Sequence, residues 1–258
     1  MNKEELVGAI QELPKFERVG IKLEDGREVS NFDAIVIAGD NSEPAFAISV
    51  VSKKYRLVQF EEVFMKLLNE IEEEIEGDVF HYLGKAYLLV FPKGEEYRID
   101  EKRVGLLIKN SVDKSWAITI SFVLDVNGRL MILPSGRYKA KGFRRKHLGK
   151  VRIATFDFIK FINKSKEVWK TIIEKMGDTY IDSDKVDELL KLCGMKRKKG
   201  LRNRIMWLSR DGKVNLWEAF IEIVKSISQG KYKSEIHRIS KIERVTSVVI
   251  NYAIALEI

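Results

Sequence analysis

The chain has a single cysteine, Cys193, among its 258 residues. That excludes an intrachain disulfide and a cysteine-rich zinc site. Cys193 follows an apolar helical pattern, which reads as a buried, unreactive thiol rather than a nucleophile. Histidine is almost as rare. His81, His147 and His237 are scattered, so a metal site built from them would need the fold to gather them. No run approaches the roughly 18 apolar residues of a membrane span, and the longest candidates, 117–124 and 245–256, are interrupted by polar side chains. The opening Met1-Asn2-Lys3-Glu4-Glu5-Leu6 lacks the basic-then-apolar order of a secretion signal. The expectation is a cytoplasmic protein without a membrane partner. Glutamine is scarce while lysine, arginine and glutamate abound, a balance seen in thermophile chains where charged networks replace labile amides.

Catalytic motifs are missing too. There is no Gly-rich phosphate loop, no Gly-x-Ser-x-Gly elbow and no His-Glu-x-x-His helix. Asp182 and Asp184 have the spacing that opens a calcium loop, but the central glycine and closing glutamate are absent, and helix capping accounts for both. One nuclease-like combination stands out. Asp78, with Asp100 and Lys102, could hold Mg²⁺ and a water beside a scissile phosphate, although solvated turns explain the same residues. No cofactor, metal ligand or catalytic residue is assigned.

What is present is a foldable chain. With 45% hydrophobic and 33% charged residues it can build a core and is not a disordered polymer. Its length suits one large or two modest domains. Leu6, Ile10 and Leu13 mark a helix over 3–12. Residues 18–30 read as a hairpin around Asp25-Gly26, followed by strands at 34–38, 45–51 and 56–59, with a turn over 39–44. Val63, Phe64, Leu67, Leu68, Ile71 and Ile75 then mark a strongly amphipathic helix. Strands follow at 79–83, 86–91, 104–108, 116–124 and 130–133, the last two joined by a turn at Asn127-Gly128. Helices fill the remainder, near 155–176, 184–193, 199–210, 214–229 and 235–256, with Ser183 or Asp184 capping the second and Asn215 the fourth. The fold class is therefore α+β. Residues 1–153 form an antiparallel β-rich half with one long helix, and 154–258 form a helical half packed on it.

The net charge of +8 is unevenly spread. Residues 137–152 carry eight lysines and arginines and no acid, and residues 196–204 carry six and no acid. Setting those fourteen aside leaves 32 of the 46 cations against 38 acids, a remainder of −6. A mildly acidic body thus carries two basic segments, and concentrated charge builds a local field.

In the first segment, Arg137, Lys139, Lys141, Arg144, Arg145, Lys146 and Lys150 surround the aromatic side chains Tyr138 and Phe143. Cations that neutralise phosphates, mixed with rings that stack on unpaired bases, suit single-stranded nucleic acid. A solvated loop in a lysine-rich protein is the alternative. In the second, Lys196, Arg197, Lys198, Lys199, Arg202 and Arg204 enter a helix whose Trp207 reads as core beside Ile205 and Leu208. Positive charge at a helix N-terminus opposes its dipole, a conflict that a docked phosphate would relieve.

Several stretches resemble a family of phage- and plasmid-related proteins known as domain of unknown function 932. Residues 50–64, with Tyr55 and Gln59-x-x-Glu62, are similar to its strand–turn–strand–helix element. Asn110-Ser111-Val112-Asp113-Lys114-Ser115 is similar to its Asn-Ser-x-Asp-Gly-Ser turn, with Lys114 in place of glycine. Asn127-Gly128 and His147-Leu148-Gly149 resemble a further pair, with Asp125 where that family has cysteine. Trp217-Glu218-Ala219-Phe220, leading to the helix with Arg238 and Arg244, is similar to its Trp-x-x-Phe segment, with Ile221-Glu222 in place of Asn-Ala. The resemblance implies a mobile-element protein of a virus or plasmid. The β-β-β-α order over 34–76 also resembles single-strand annealing recombination proteins, which form rings or filaments and use neither nucleotide nor metal. The expected partner is nucleic acid, single-stranded DNA foremost, with annealing or replication of single strands as the role and homo-oligomerisation left open. A metal-dependent nuclease and a non-catalytic structural or partner-binding protein are the alternatives.

Overall fold

A computed structural model describes residues 1–39, 46–113, 118–133 and 157–256, together with the main chain of residues 144–145. The fold is mixed α+β with antiparallel sheets, strands dominating the N-terminal part and helices the C-terminal part. The sequence reading put one break near residue 153. The chain divides into two compact units that are discontinuous in sequence. One comprises Met1–Lys93, Leu106–Ser121 and Lys141–Phe161, the other Gly94–Gly105, Phe122–Ala140 and Ile162–Ile258.

In the first unit, α1 (Lys3–Gln11) starts on a capping box in which the Asn2 side chain accepts from Glu5 N–H and the Glu5 side chain accepts from Asn2 N–H. Its Leu6 and Ile10 are fully buried. β1 (Phe16–Lys22) and β2 (Glu28–Ile37) form the expected hairpin, with Gly26 at φ 82° in its turn, and β3 (Ser49–Ser52) adds to β2. The two pieces expected near 27–30 and 34–38 are one continuous strand.

Residues 56–59 are not a strand. They run extended into α2 (Phe60–Asn69), and the Gln59 amide stands in for a missing ladder partner. Phe16 N–H donates to Gln59 Oε1 at 3.0 Å, and Gln59 Nε2 donates to the Phe16 carbonyl at 2.7 Å. The expected helix through Ile75 ends at Asn69, and Ile75 instead begins β4 (Ile75–Tyr82), which pairs with β5 (Lys85–Pro92). Gly77 marks the close approach of β4 to its neighbours: a Cβ there would sit 2.1 Å from the Leu89 carbonyl oxygen and 3.2 Å from Leu6 of α1.

A sheet ordered β10-β8-β7-β5-β4 contains β7 (Lys102–Ser111), β8 (Ile118–Val126) and β10 (Arg144–Arg145). β6 (Arg98–Ile99) pairs with β7, and β9 (Arg129–Leu133) pairs with β8 through the Asn127-Gly128 turn. Both turn residues have positive φ, 53° and 77°, as a tight right-twisting hairpin requires.

The second unit is completed by α3 (Phe158–Gly177) from Ile162 onward, β11 (Tyr180–Ile181), α4 (Ser183–Leu192), α5 (Lys199–Trp207), β12 (Val214–Asn215), α6 (Leu216–Ser228) and α7 (Glu235–Ala255). Trp169 of α3 and Phe220 of α6 are fully buried there. The cap of α4 is Asp182, one residue before the position expected, and its side chain accepts from Lys185 N–H at 3.0 Å. Asn215 caps α6 as expected. Among the described residues no helix is long and apolar enough to cross a membrane.

Candidate nucleic-acid interface

The two basic segments are unequally described. Arg137, Tyr138, Lys139, Lys141, Phe143, Lys146 and Lys150 lie outside the described residues. Arg144 and Arg145 contribute main chain to β10, opposite Thr119 and Ile118 of β8.

The second segment is described in full. A turn links α4 to α5, and α5 seats Leu201 and Ile205 in the core. The guanidinium of Arg202 grips α4: it donates to both carboxylate oxygens of Asp187, at 2.6 and 3.0 Å, and to Ser183 Oγ at 2.7 Å. That bidentate pair holds the Asp187 carboxyl below its usual range. Arg204 reaches the other way, to Glu222 of α6 at 3.2 Å, where Lys225 also donates at 3.1 Å. Two of the six cations therefore fasten α5 to its neighbours. The other four project outward. Lys198 donates to Ser226 Oγ at 3.2 Å, whereas Lys196, Arg197 and Lys199 are exposed and enter no side-chain hydrogen bond or ion pair among the described residues.

Two further cations of α7 join this surface, Lys241 and Arg244, of which the sequence reading names only Arg244, in the family resemblance. Lys241 of α7 donates to the Cys193 carbonyl at the end of α4, at 3.0 Å. Burial lowers its pKa, and the nearby positive charges of Arg244 and Lys198 lower it further, against an opposing contribution from Cys193. The α4–α5 turn and α7 thus bring like charges close enough to repel. Cys193 itself is buried, and burial pushes its thiol up to about 12, which fits the inert reading. In hindsight the pattern Lys241-x-x-Arg244, one helical turn apart, was the available signal.

Trp207 corrects an expectation. It is not core: it is 88% exposed. The helical angle explains why. At 100° per residue, Leu201, Ile205 and Leu208 share a stripe, while Trp207 stands about 200° from Ile205. The outward stripe runs through Lys199, Asn203 and Trp207.

Residues 207–218 join α5 to α6 and have the length of a calcium-binding helix–loop–helix. Gly212, at φ 74°, sits at the sixth position, Asn215 at the ninth and Glu218 at the twelfth. Ser209 and Asp211 stand at the third and fifth positions, but the first, seventh and ninth positions are not free for a cation. Trp207 occupies the first ligand position. The carbonyl of Lys213, the main-chain ligand position, accepts from Arg210 N–H at 2.8 Å. Asn215 Oδ1 accepts from Trp217 N–H and Glu218 N–H, at 3.1 and 3.3 Å. The loop is closed by its own hydrogen bonds and carries the cations Arg210 and Lys213. β12 then pairs with β11, tying this loop to the one between α3 and α4.

The nuclease-like residues belong to two units. Asp78 is exposed on β4 in the first unit, while Asp100 and Lys102 of the second pair with each other at 3.2 Å across a turn. Among the described residues no group of three histidine, cysteine, aspartate or glutamate side chains is placed to hold a metal ion. No family model, no curated protein and no solved structure matches the chain.

Proposed function

We propose that this chain binds nucleic acid, single-stranded DNA foremost, through the basic face formed by the α4–α5 turn and α7. The observation that carries this reading is the gathering of Lys198, at the start of α5, with Lys241 and Arg244 of α7, where Lys241 is held on the Cys193 carbonyl. Like charges held together cost stability in an isolated protein, and a polyanion converts the same arrangement into attraction. The start of α5 adds to it. Its N-cap is Lys198, without a side-chain cap bond, and no acid lies in its first turn. Lys199 N–H and Leu201 N–H donate to the Arg197 and Lys198 carbonyls, at 3.1 and 3.0 Å, which leaves Gly200 N–H for a phosphate oxygen. Lys196, Arg197 and Lys199 extend the surface. Arg137, Lys139, Lys141, Arg144, Arg145, Lys146 and Lys150 supply a second group of cations, with Tyr138 and Phe143 as stacking rings. The resemblance to phage- and plasmid-related proteins fits a mobile-element role in annealing or replicating single strands.

The test is a fluorescence-anisotropy titration with single- and double-stranded oligonucleotides across salt. Single strands are expected to bind more tightly. Their log–log slope against salt should be at least about −3, the value for four or more phosphate contacts at ~0.7 each. Absence of binding at low salt would overturn the proposal.

A further inference from the structure

We propose that the loop 207–218 is a nucleotide-holding element, in which the Trp207 indole stacks on an unpaired base while Arg210 and Lys213 take the adjoining phosphates. The inference rests on the nucleic-acid reading above and specifies which part of the strand is recognised.

Three independent features point there. The first is Trp207, whose large apolar surface lies in water at the outer end of α5 and makes no ring contact within the chain among the described residues. An indole left 88% exposed forgoes the burial that stabilises such a side chain elsewhere, and a flat base supplies it. The second is charge. Arg210 and Lys213 are exposed and enter no side-chain hydrogen bond or ion pair among the described residues. Their main chains are locked to each other by N–H to carbonyl bonds of 2.8 and 2.9 Å, so both side chains leave from a fixed turn. The third is a cavity of about 250 Å³ opening beside that turn, lined by Tyr180, Arg210, Lys213, Trp217 and Glu218 among others. Trp207 does not itself line this cavity; the rings of Tyr180 and Trp217, the two cations and the Glu218 carboxylate make a setting for the nucleotide next to the one stacked on Trp207. A bare anion would meet the carboxylate and leave the rings unused.

The loop's backbone explains how such a site can be rigid. The left-handed residues Asp211 and Gly212, at φ 50° and 74°, turn the chain sharply. The Asn215 cap and the β11–β12 pair then fix the exit. In a cation loop this geometry would converge acceptors inward. Here the Lys213 carbonyl and Asn215 Oδ1 are consumed internally, and the exposed side chains include Trp207, Arg210 and Lys213 as well as Asp211.

The experiment compares two probes of equal length, an oligodeoxythymidylate and the same backbone without bases. Each is titrated against the full chain, Trp207→Ala, Trp207→Phe and the double variant Arg210→Ala/Lys213→Ala. Because Trp207 is exposed, its substitution should leave the thermal midpoint unchanged, which circular dichroism checks. Trp207→Ala is expected to weaken oligodeoxythymidylate binding roughly tenfold and to leave the abasic probe unaffected, with Trp207→Phe recovering most of the loss. The double variant is expected to weaken both probes and flatten both salt slopes. If the full chain binds both probes equally and Trp207→Ala changes neither, this inference is overturned while the charge-based reading stands. If the full chain binds neither probe, both fall together.

Discussion

Replacing Lys196, Arg197, Lys198 and Lys199 together with alanine is expected to flatten the salt slope for single-stranded DNA by about 3 and to weaken binding at low salt by roughly two orders of magnitude. Each cation that meets a phosphate releases a condensed counterion, and that release scales affinity with salt. Three of the four side chains make no bond within the chain among the described residues, and the fourth makes only the exposed contact from Lys198 to Ser226. Fold stability should therefore survive. It should even rise slightly, because alanine is the better helix former and positive charge leaves the start of α5. The contrast is with Arg202→Ala/Arg204→Ala. Those guanidiniums bridge α5 to Asp187 and Glu222, so their loss should loosen α5 and alter the salt slope less. A slope unchanged in the fourfold variant would take the turn out of the interface.

Trp169→Ala is expected to destabilise the second unit by about 3–5 kcal/mol, the range for deleting a buried indole and leaving a cavity. Trp169 is the largest of the fully buried side chains among the described residues, and α3 enters the loop whose β11 pairs with β12. The whole stability of a domain is typically ~5–15 kcal/mol, so this loss consumes much of it. Trp169→Phe should cost far less. It keeps most of the ring volume and removes Nε1, a buried donor without a partner among the described residues. Urea unfolding followed by circular dichroism reads both. A Trp169→Ala midpoint equal to that of the parent would mean that α3 does not support the helical unit.

Much of the fold was legible because its signals are local. Asn127-Gly128 between alternating apolar runs specified the β8–β9 hairpin, and Asn215 before Leu216 specified the start of α6. The errors arose where tertiary partners overrode local pattern. Ile71 and Ile75 continue the α2 periodicity, yet Ile75 finds Pro92 of β5 and becomes a strand residue. Residues 56–59 look like a strand because the chain there is extended, but its ladder is made by the Gln59 side chain. β11 and β12, two residues each, are too short for any period to show.

The site was legible in part. Charge counting found the 196–204 segment but could not separate the arginines that clamp α5 from the lysines that face water. That distinction depends on Asp187 and Glu222, which lie on other helices. The Lys241-x-x-Arg244 spacing is in the sequence, but its place beside the turn depends on the packing of α7. Trp207 is different. Its outward position follows from helical angles alone, and grouping it with its sequence neighbours Ile205 and Leu208 concealed this.

The central claim is that the α4–α5 turn and its surroundings touch a nucleic-acid strand. Ultraviolet crosslinking of the full chain to a photoreactive single-stranded oligonucleotide, followed by peptide mapping, locates the contact directly. Adducts within residues 196–215 and at 241–244 are the expected result. Adducts confined to the first unit's strands β1 to β5, or none at all, would contradict it.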